Sequence, residues 1–151
     1  MKKAIRILMP LLFLFFCSGV FAQNPVNWSF TSKKIDNKLY EVHLTATVNE
    51  LWHIYSQTSP SGGALPTTIT FSKNPLLILK GNTTEKGKLI KKFEEVFSME
   101  VKYFEGEVSF IQTVKLKANV KTSVSGELEY MVCDDEKCLP PQIINFSVSL
   151  K

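Results

Sequence analysis

Two cysteines near the C-terminus, Cys133 and Cys138, are the residues of this chain best suited to carry chemistry. The four residues between them are three acids and a lysine, and a Leu-Pro-Pro sequence follows the second cysteine. The segments on either side alternate between apolar and polar residues, which predicts a hairpin with the cysteines close to its tip. Two thiols so placed can form a disulfide that is either a structural cross-link or a reversible redox couple.

The residues between the cysteines are expected to act on thiol reactivity in opposite directions. A thiolate is the attacking species in disulfide exchange, so a redox couple needs one partly exposed sulfur with a suitable pKa. Like-charge repulsion from Asp134, Asp135 and Glu136 would raise that pKa, whereas Lys137 would lower it. Spacing alone therefore leaves both a structural disulfide and a redox pair open.

A third use of the cysteines, copper or zinc binding, would need ligands from elsewhere in the chain. The candidates are His43, His53 and Met131, and no spacing in the sequence places them beside the cysteines. We therefore predict that the protein uses no metal and no other cofactor.

The first 22 residues have the three parts of a secretory signal peptide. Residues 2–6 carry three positive charges, residues 7–16 are an apolar run, and residues 18–22 suit cleavage after Ala22. Cys17 is not expected to be a lipidation site, because Phe15 and Phe16 occupy positions where a lipoprotein signal needs small residues. We expect an exported protein, located in the periplasm where the cell has an outer membrane.

The mature chain, residues 23–151, is predicted to be nearly neutral. Three of the 18 basic residues and none of the 14 acidic residues lie before residue 23, which leaves a net charge of +1. Nucleic-acid binding is not expected, because the sequence has no basic patch. No further run approaches the roughly 20 apolar residues of a membrane span. Cleavage removes Cys17, and the two remaining cysteines of an exported chain can pair with each other.

Alternation of apolar and polar residues dominates the mature chain and indicates β-strands. The clear strands are 39–48, 107–117, 123–132 and 143–150, and the weaker ones are 26–32, 51–56, 67–71, 76–79 and 101–104. Eight or nine short strands predict an all-β fold in one domain, an antiparallel β-sandwich of immunoglobulin-like type. Irregular structure is expected over 58–66 and 80–99, and turns at Asp36-Asn37, Asn49-Glu50, Gly81-Asn82 and Glu105-Gly106.

A set of motifs relates the mature chain to a known family. The most specific part is Tyr130-x-x-Cys133 with Cys138-x-Pro-Pro141, and weaker similarity covers residues 51–55, 93–104 and 124–126. In these segments the chain resembles the N-terminal periplasmic domain of the DsbD thiol:disulfide interchange protein. The resemblance implies an immunoglobulin-like fold with redox cysteines on neighbouring strands of a hairpin. It also implies that electrons arrive from a membrane thiol reductase and pass to oxidised periplasmic proteins.

The resemblance implies different roles for the two cysteines. Cys138 matches the cysteine that forms the mixed disulfide with partners, and Cys133 matches the resolving cysteine. The Cys138 thiolate is then expected to attack the disulfide of a thioredoxin-like protein, after which Cys133 resolves the mixed disulfide. The competing hypothesis is an exported binding or adaptor sandwich in which the disulfide is structural.

The resemblance also implies a set of residues around the cysteines. Phe97 matches the aromatic residue of a cap loop that shields the pair, with Glu94 or Glu95 in the place of its acids. Tyr55 matches an aromatic residue beside the site. The ordinary alternatives are that the two aromatic side chains belong to the core and that the acids form a solvated turn. His53 lies near the predicted site and is a candidate proton shuttle.

The chain departs from the family pattern in two respects. The loop between the cysteines is one residue shorter than in the best-known members. The sequence also ends at Lys151, before any transmembrane or thioredoxin-like domain of a full-length DsbD. We therefore expect a stand-alone exported domain that works with a separate membrane reductase.

Overall fold

The computed structural model describes residues 24–95 and 97–150, and its regular secondary structure consists of β-strands. The signal-peptide prediction concerns residues outside this range. In the described part of the chain, no helix is long and apolar enough to cross a membrane. The strands are β1 (Val26–Asp36), β2 (Leu39–Val48), β3 (His53–Tyr55), β4 (Thr68–Phe71), β5 (Leu77–Glu94), β6 (Met99–Leu116), β7 (Thr122–Tyr130), β8 (Val132–Cys133) and β9 (Gln142–Leu150).

The strands form two antiparallel sheets, which confirms the predicted immunoglobulin-like sandwich. The larger sheet has the order β1-β2-β6-β3-β8, with β5 also paired to β6, and the smaller sheet has the order β4-β7-β9. β2 and β3 lie end to end along one side of β6, while β5 follows its other side. The long strand β6 therefore connects the centre of the sheet to the end that carries β3 and β8.

The main core lies between the sheets and follows the predicted alternation. Five alternate residues of β6 are all buried: Val108, Phe110, Gln112, Val114 and Leu116. The amide of Gln112 is satisfied, because its nitrogen donates to the carbonyl oxygens of Lys80 and Thr113. Each large apolar side chain buried in this layer contributes about 1.5–3 kcal/mol.

The prediction of irregular structure over residues 80–99 is wrong for residues 80–94, whereas a turn follows them before β6. β5 runs from Leu77 to Glu94 and pairs with β6 over most of this length. Most of its side chains are exposed, and the register shifts between Lys80 and Thr84 and again between Gly87 and Leu89. The shifts and the exposure remove the alternation from the sequence, so the strand depends on its pairing with β6.

Two predicted turns are wrong for the same reason. Gly81-Asn82 lies within β5 at the first register shift, and Glu105-Gly106 lies within β6, where Gly106 has a φ of +68°. The predicted strands 101–104 and 107–117 are consequently one strand. Glycine adopts positive φ without the steric cost that a Cβ imposes, so the irregularity does not end the strand.

The chain changes sheets at Met131. Tyr130 at the end of β7 pairs with Gln142 in the smaller sheet, whereas Val132 and Cys133 of β8 pair with β3 in the larger sheet. The predicted strand 123–132 is therefore divided into β7 and β8. This crossing brings the tip of the β7–β9 hairpin to one end of the larger sheet.

Candidate redox site

The two cysteines form a disulfide across the tip of the β7–β9 hairpin. Cys133 and Cys138 are paired as an isolated antiparallel bridge, with their Cα atoms 4.0 Å apart. Leu139 N donates to Val132 O at 2.9 Å on one side of the pair, and Asp134 N donates to the Lys137 carbonyl oxygen at 2.9 Å on the other. The cysteines therefore form a non-hydrogen-bonded pair, in which opposed side chains approach most closely.

The four residues between the cysteines form a turn stabilised by one carboxylate. Asp134 Oδ1 accepts hydrogen bonds from the main-chain N–H of Glu136 at 2.8 Å and of Lys137 at 2.7 Å. These two bonds lower the pKa of Asp134, because they stabilise its charged form. The turn, which we call the cysteine turn (residues 134–137), thus holds the two cysteines opposite each other.

The two cysteines differ in exposure. Cys133 is 1% exposed and packs in a small cluster with Tyr55, Val101 and Tyr103, whereas Cys138 is exposed. Cys133 also pairs with His53 of β3. A partner protein can therefore reach Cys138 while Cys133 stays within the fold, an arrangement that suits a nucleophile and a resolving thiol.

A cavity of about 200 Å³ lies beside the disulfide. It brings together both cysteines and several residues predicted from the family resemblance. Its lining consists of Cys133, Cys138, the cysteine turn, His53, Tyr55, Lys92, Glu94 and Phe97. Glu95 is exposed and does not line the cavity, so of the two acids that the resemblance suggested, Glu94 is the one beside the cavity.

Phe97 lies in the turn between β5 and β6, which we call the cap turn (residues 95–98). Its side chain is half-buried against the cluster that contains Cys133. Its main-chain N–H donates to Glu94 O at 3.2 Å. The ring is in close contact with Gly63, where an added Cβ would lie 2.9 Å from Phe97 Cγ. The absence of a side chain at Gly63 therefore allows the ring to occupy this position.

An ion pair joins the cap side of the site to the cysteine turn. Lys92 Nζ lies 3.1 Å from Glu94 Oε1 and 3.9 Å from Asp135 Oδ1. The bond to Glu94 is the main reason that the pKa of Lys92 is raised. Lys92 was not among the predicted site residues, because its strand was predicted to be irregular and its orientation toward the cavity depends on pairing with β6.

The rings of His53, Tyr55 and Tyr103 pack against one another beside the disulfide cavity. The Tyr55 hydroxyl lies 3.2 Å from His53 Nε2, and the His53 ring centroid lies 4.4 Å from that of Tyr103. Burial lowers the pKa of His53 and raises the pKa of Tyr55 to about 12. At neutral pH a neutral imidazole therefore shares a hydrogen bond with the Tyr55 hydroxyl.

Tyr103 was not among the predicted site residues. Its alternation with Val101 within the predicted strand 101–104 could have indicated that both side chains face the same way, and both are buried in the cluster that contains Cys133. Trp52, by contrast, packs against the main core, and the Lys137 ammonium lies 6.0 Å from the centre of its ring.

Of the other candidate metal ligands, Met131 packs against the cluster that contains Cys133, whereas His43 lies apart from it on β2. His43 Nε2 lies 3.2 Å from Glu41 Oε2 on β2. Among residues 24–95 and 97–150, no three His, Cys, Asp or Glu side chains form a group that could hold a metal ion.

The fold and the site define an immunoglobulin-like sandwich that presents one exposed and one buried cysteine at a hairpin tip. The family model for the N-terminal region of the thiol:disulfide interchange protein DsbD matches residues 22–149, and the chain belongs to this family. Among curated proteins, none matches the chain in sequence.

Three solved structures have a similar fold. The reduced N-terminal domain of DsbD from Neisseria meningitidis matches with a TM-score of 0.53 and 15% identity, over 81% of this chain and 84% of that one. The N-terminal periplasmic domain of ScsB from Proteus mirabilis matches with a TM-score of 0.52 and 13% identity, over 83% of this chain and 44% of that one. A complex between the DsbD and PilB N-terminal domains of Neisseria meningitidis gives a TM-score of 0.51 and 12% identity, over 81% and 80%.

Proposed function

We propose that residues 23–151 form an exported thiol–disulfide exchange domain that reduces oxidised thioredoxin-like proteins in the periplasm. A membrane thiol reductase would then restore the dithiol, and the domain would act as a component of a protein-disulfide reductase system. The observation that carries this proposal is the unequal exposure of Cys133 and Cys138 in a chain of the DsbD N-terminal family.

The reaction consists of two exchange steps. The Cys138 thiolate attacks one sulfur of the partner disulfide, the partner's S–S bond breaks, and the other partner sulfur leaves as a thiolate. The Cys133 thiolate then attacks the Cys138 sulfur, which releases the second partner thiolate and forms the Cys133–Cys138 disulfide. Two electrons thus pass to the partner, and the protons released by the two thiols restore its thiol groups.

Side chains of the cavity supply the remaining functions. Glu94 and neutral His53 line the cavity with both cysteines and are the groups proposed to accept the thiol protons. Phe97 is proposed to shield the disulfide until a partner displaces it, because its ring packs against the Cys133 cluster. Tyr55 is proposed to position His53 through its hydroxyl.

A protein partner is consistent with the complex formed by the Neisseria meningitidis DsbD and PilB domains. The second candidate function is a binding sandwich with a structural disulfide, which the complete burial of Cys133 favours. The reduction potential separates the two. A value of about −270 to −180 mV is expected for exchange, and a value below about −300 mV would indicate a structural bond.

The direct test of the proposed function compares two single-cysteine variants of the mature chain. Cys133→Ser should form a mixed disulfide with a thioredoxin whose one active-site cysteine is activated by 2-nitro-5-thiobenzoate. Cys138→Ser should react more than about a hundredfold more slowly, because its remaining thiol is buried. Release of nitrothiobenzoate measures both rates, and equal rates would contradict the proposed roles.

A further inference from the structure

The main chain of Cys138 lies at a free edge of the larger sheet. In a non-hydrogen-bonded antiparallel pair, the N–H and C=O groups of both residues point away from each other. Cys133 directs these groups toward His53 of β3, with which it pairs. Cys138 directs them outward, on the side where the described part of the chain places no further strand.

The N–H groups that precede Cys138 are already occupied. Those of Glu136 and Lys137 both donate to Asp134 Oδ1, at 2.8 and 2.7 Å. The residues before Cys138 in the turn therefore offer a partner no free donor next to it.

The three residues that follow Cys138 also offer no free main-chain N–H group. Leu139 N donates to Val132 O, and Pro140 and Pro141 have no N–H group. Within residues 136–141, the N–H of Cys138 is the one main-chain donor without a partner in the described part of the chain. The free edge is thus one residue long, and that residue is the exposed cysteine.

This position has a consequence for any protein that reacts with Cys138. A partner that reaches the sulfur must cover the adjacent N–H and C=O and remove them from water. A covered main-chain group without a hydrogen bond costs about 1–3 kcal/mol. An extended segment of the partner avoids this cost, because it can pair with the edge as an additional strand does.

We propose that a thioredoxin-like partner places an extended segment beside Cys138, so that the N–H and C=O of Cys138 pair with the main chain of one partner residue. This inference rests on the proposed function and specifies how the partner is bound. Recognition at the reacting cysteine then depends on main-chain geometry, so partners with unrelated side chains at this position can be accepted. Pro140 limits the pairing to a single residue.

Hydrogen exchange at the Cys138 amide is the first test. The ¹⁵N-labelled Cys133→Ser variant is joined through Cys138 to a single-cysteine thioredoxin or, as the control, to 2-mercaptoethanol, which has no peptide main chain. We expect the Cys138 amide to exchange at least about tenfold more slowly in the thioredoxin adduct. Equal exchange rates in the two adducts would overturn the proposal.

A backbone modification separates hydrogen bonding from simple coverage. A synthetic peptide of residues 133–151 begins with Cys133 and can be ligated to residues 23–132, with N-methylcysteine or cysteine at position 138. The N-methylated protein should reduce oxidised thioredoxin about three- to tenfold more slowly than the unmodified ligated protein. Reduction of 2-hydroxyethyl disulfide, which has no main chain to pair, measures any effect of the methyl group on the Cys138 sulfur itself, and the loss of rate with thioredoxin should exceed the loss with this small disulfide.

The outcomes distinguish this inference from the proposed function. If the unmodified protein reduces thioredoxin and the N-methylated protein does so equally well, the exchange function stands and main-chain pairing is rejected. If the N-methylated protein loses the same factor with both disulfides, the change acts on the cysteine itself and the pairing is again rejected. If the unmodified protein does not reduce thioredoxin, both proposals fail.

Discussion

Two hairpin tips meet at the candidate site, and they are held by different forces. The cysteine turn at the tip of β7–β9 is closed by the disulfide, by cross-strand main-chain hydrogen bonds and by Asp134. In the cap turn at the tip of β5–β6, Glu94 O accepts from Phe97 N, and Glu95 O accepts from the main-chain N–H and the hydroxyl of Ser98. Its contact with the site depends on the packing of Phe97 and on the ion pair of Lys92.

The difference in the interactions that hold the two turns indicates which of them moves when a partner binds. Covalent and main-chain bonds keep the two cysteines in register. A buried phenylalanine side chain contributes about 1.5–3 kcal/mol, so the half-buried Phe97 ring contributes the lower part of this range or less. An exposed ion pair contributes about 0–1 kcal/mol. We infer that a docking partner displaces the cap turn and leaves the cysteine turn in place.

Of the predicted changes, removal of the Phe97 side chain is expected to have the largest effect on the rate at which the disulfide is reduced. Phe97→Ala should accelerate reduction of the disulfide by dithiothreitol about tenfold or more, because the packing that holds the cover is lost. The matched control is Phe93→Ala, which removes a ring from the same hairpin that is 62% exposed. If the two variants react at the same rate as the parent, Phe97 is a core side chain and not a cap.

Loss of the ion pair should have a smaller effect that depends on salt. Lys92→Met should accelerate reduction by dithiothreitol by less than about fivefold at low ionic strength. The difference should shrink in about 1 M salt, where the screening length is about 3 Å. Lys91→Met is the control, since adjacent residues of a strand face opposite sides. A salt-independent acceleration in Lys92→Met would show that the side chain acts by packing instead.

The smallest expected effect is the pH dependence that His53, on β3 between the two tips, gives to the free energy of unfolding. Burial lowers the pKa of His53 below its ordinary value of about 6.5, although Glu105, Asp135 and Glu94 oppose the shift. The unfolded chain therefore binds a proton first as the pH falls. Stability should decrease from about pH 6.5 downward until the lowered folded-state pKa is reached.

Urea unfolding at pH 7.5 and 5.5 measures this dependence. His53→Gln should reduce the difference in unfolding free energy between the two pH values. His43→Gln changes the other histidine of the chain, which lies on β2, and should retain the contribution of His53. An unchanged difference in His53→Gln would show that other groups cause the pH dependence.

Most residues that line the cavity could be predicted from the sequence, but Lys92 and the neighbouring Tyr103 could not. The cysteine motif and the family resemblance led to Cys133, Cys138, Phe97, Glu94 and Tyr55, all of which line the cavity. Lys92 and Tyr103 were missed. Lys92 lies on β5, whose register shifts interrupt the alternation on which the strand predictions depended. Tyr103 lies within the predicted strand 101–104, and only the tertiary structure places its ring against that of His53.

The sequence by itself determined the fold class and the position of the cysteine pair, because alternation and turn residues are local properties of the chain. Only the tertiary structure decided which cysteine is exposed. That outcome follows from the crossing at Met131 and from the pairing of Cys133 with His53, 80 residues away in the chain. Such pairings depend on contacts between distant segments, and no local pattern in the residues around the cysteines encodes them.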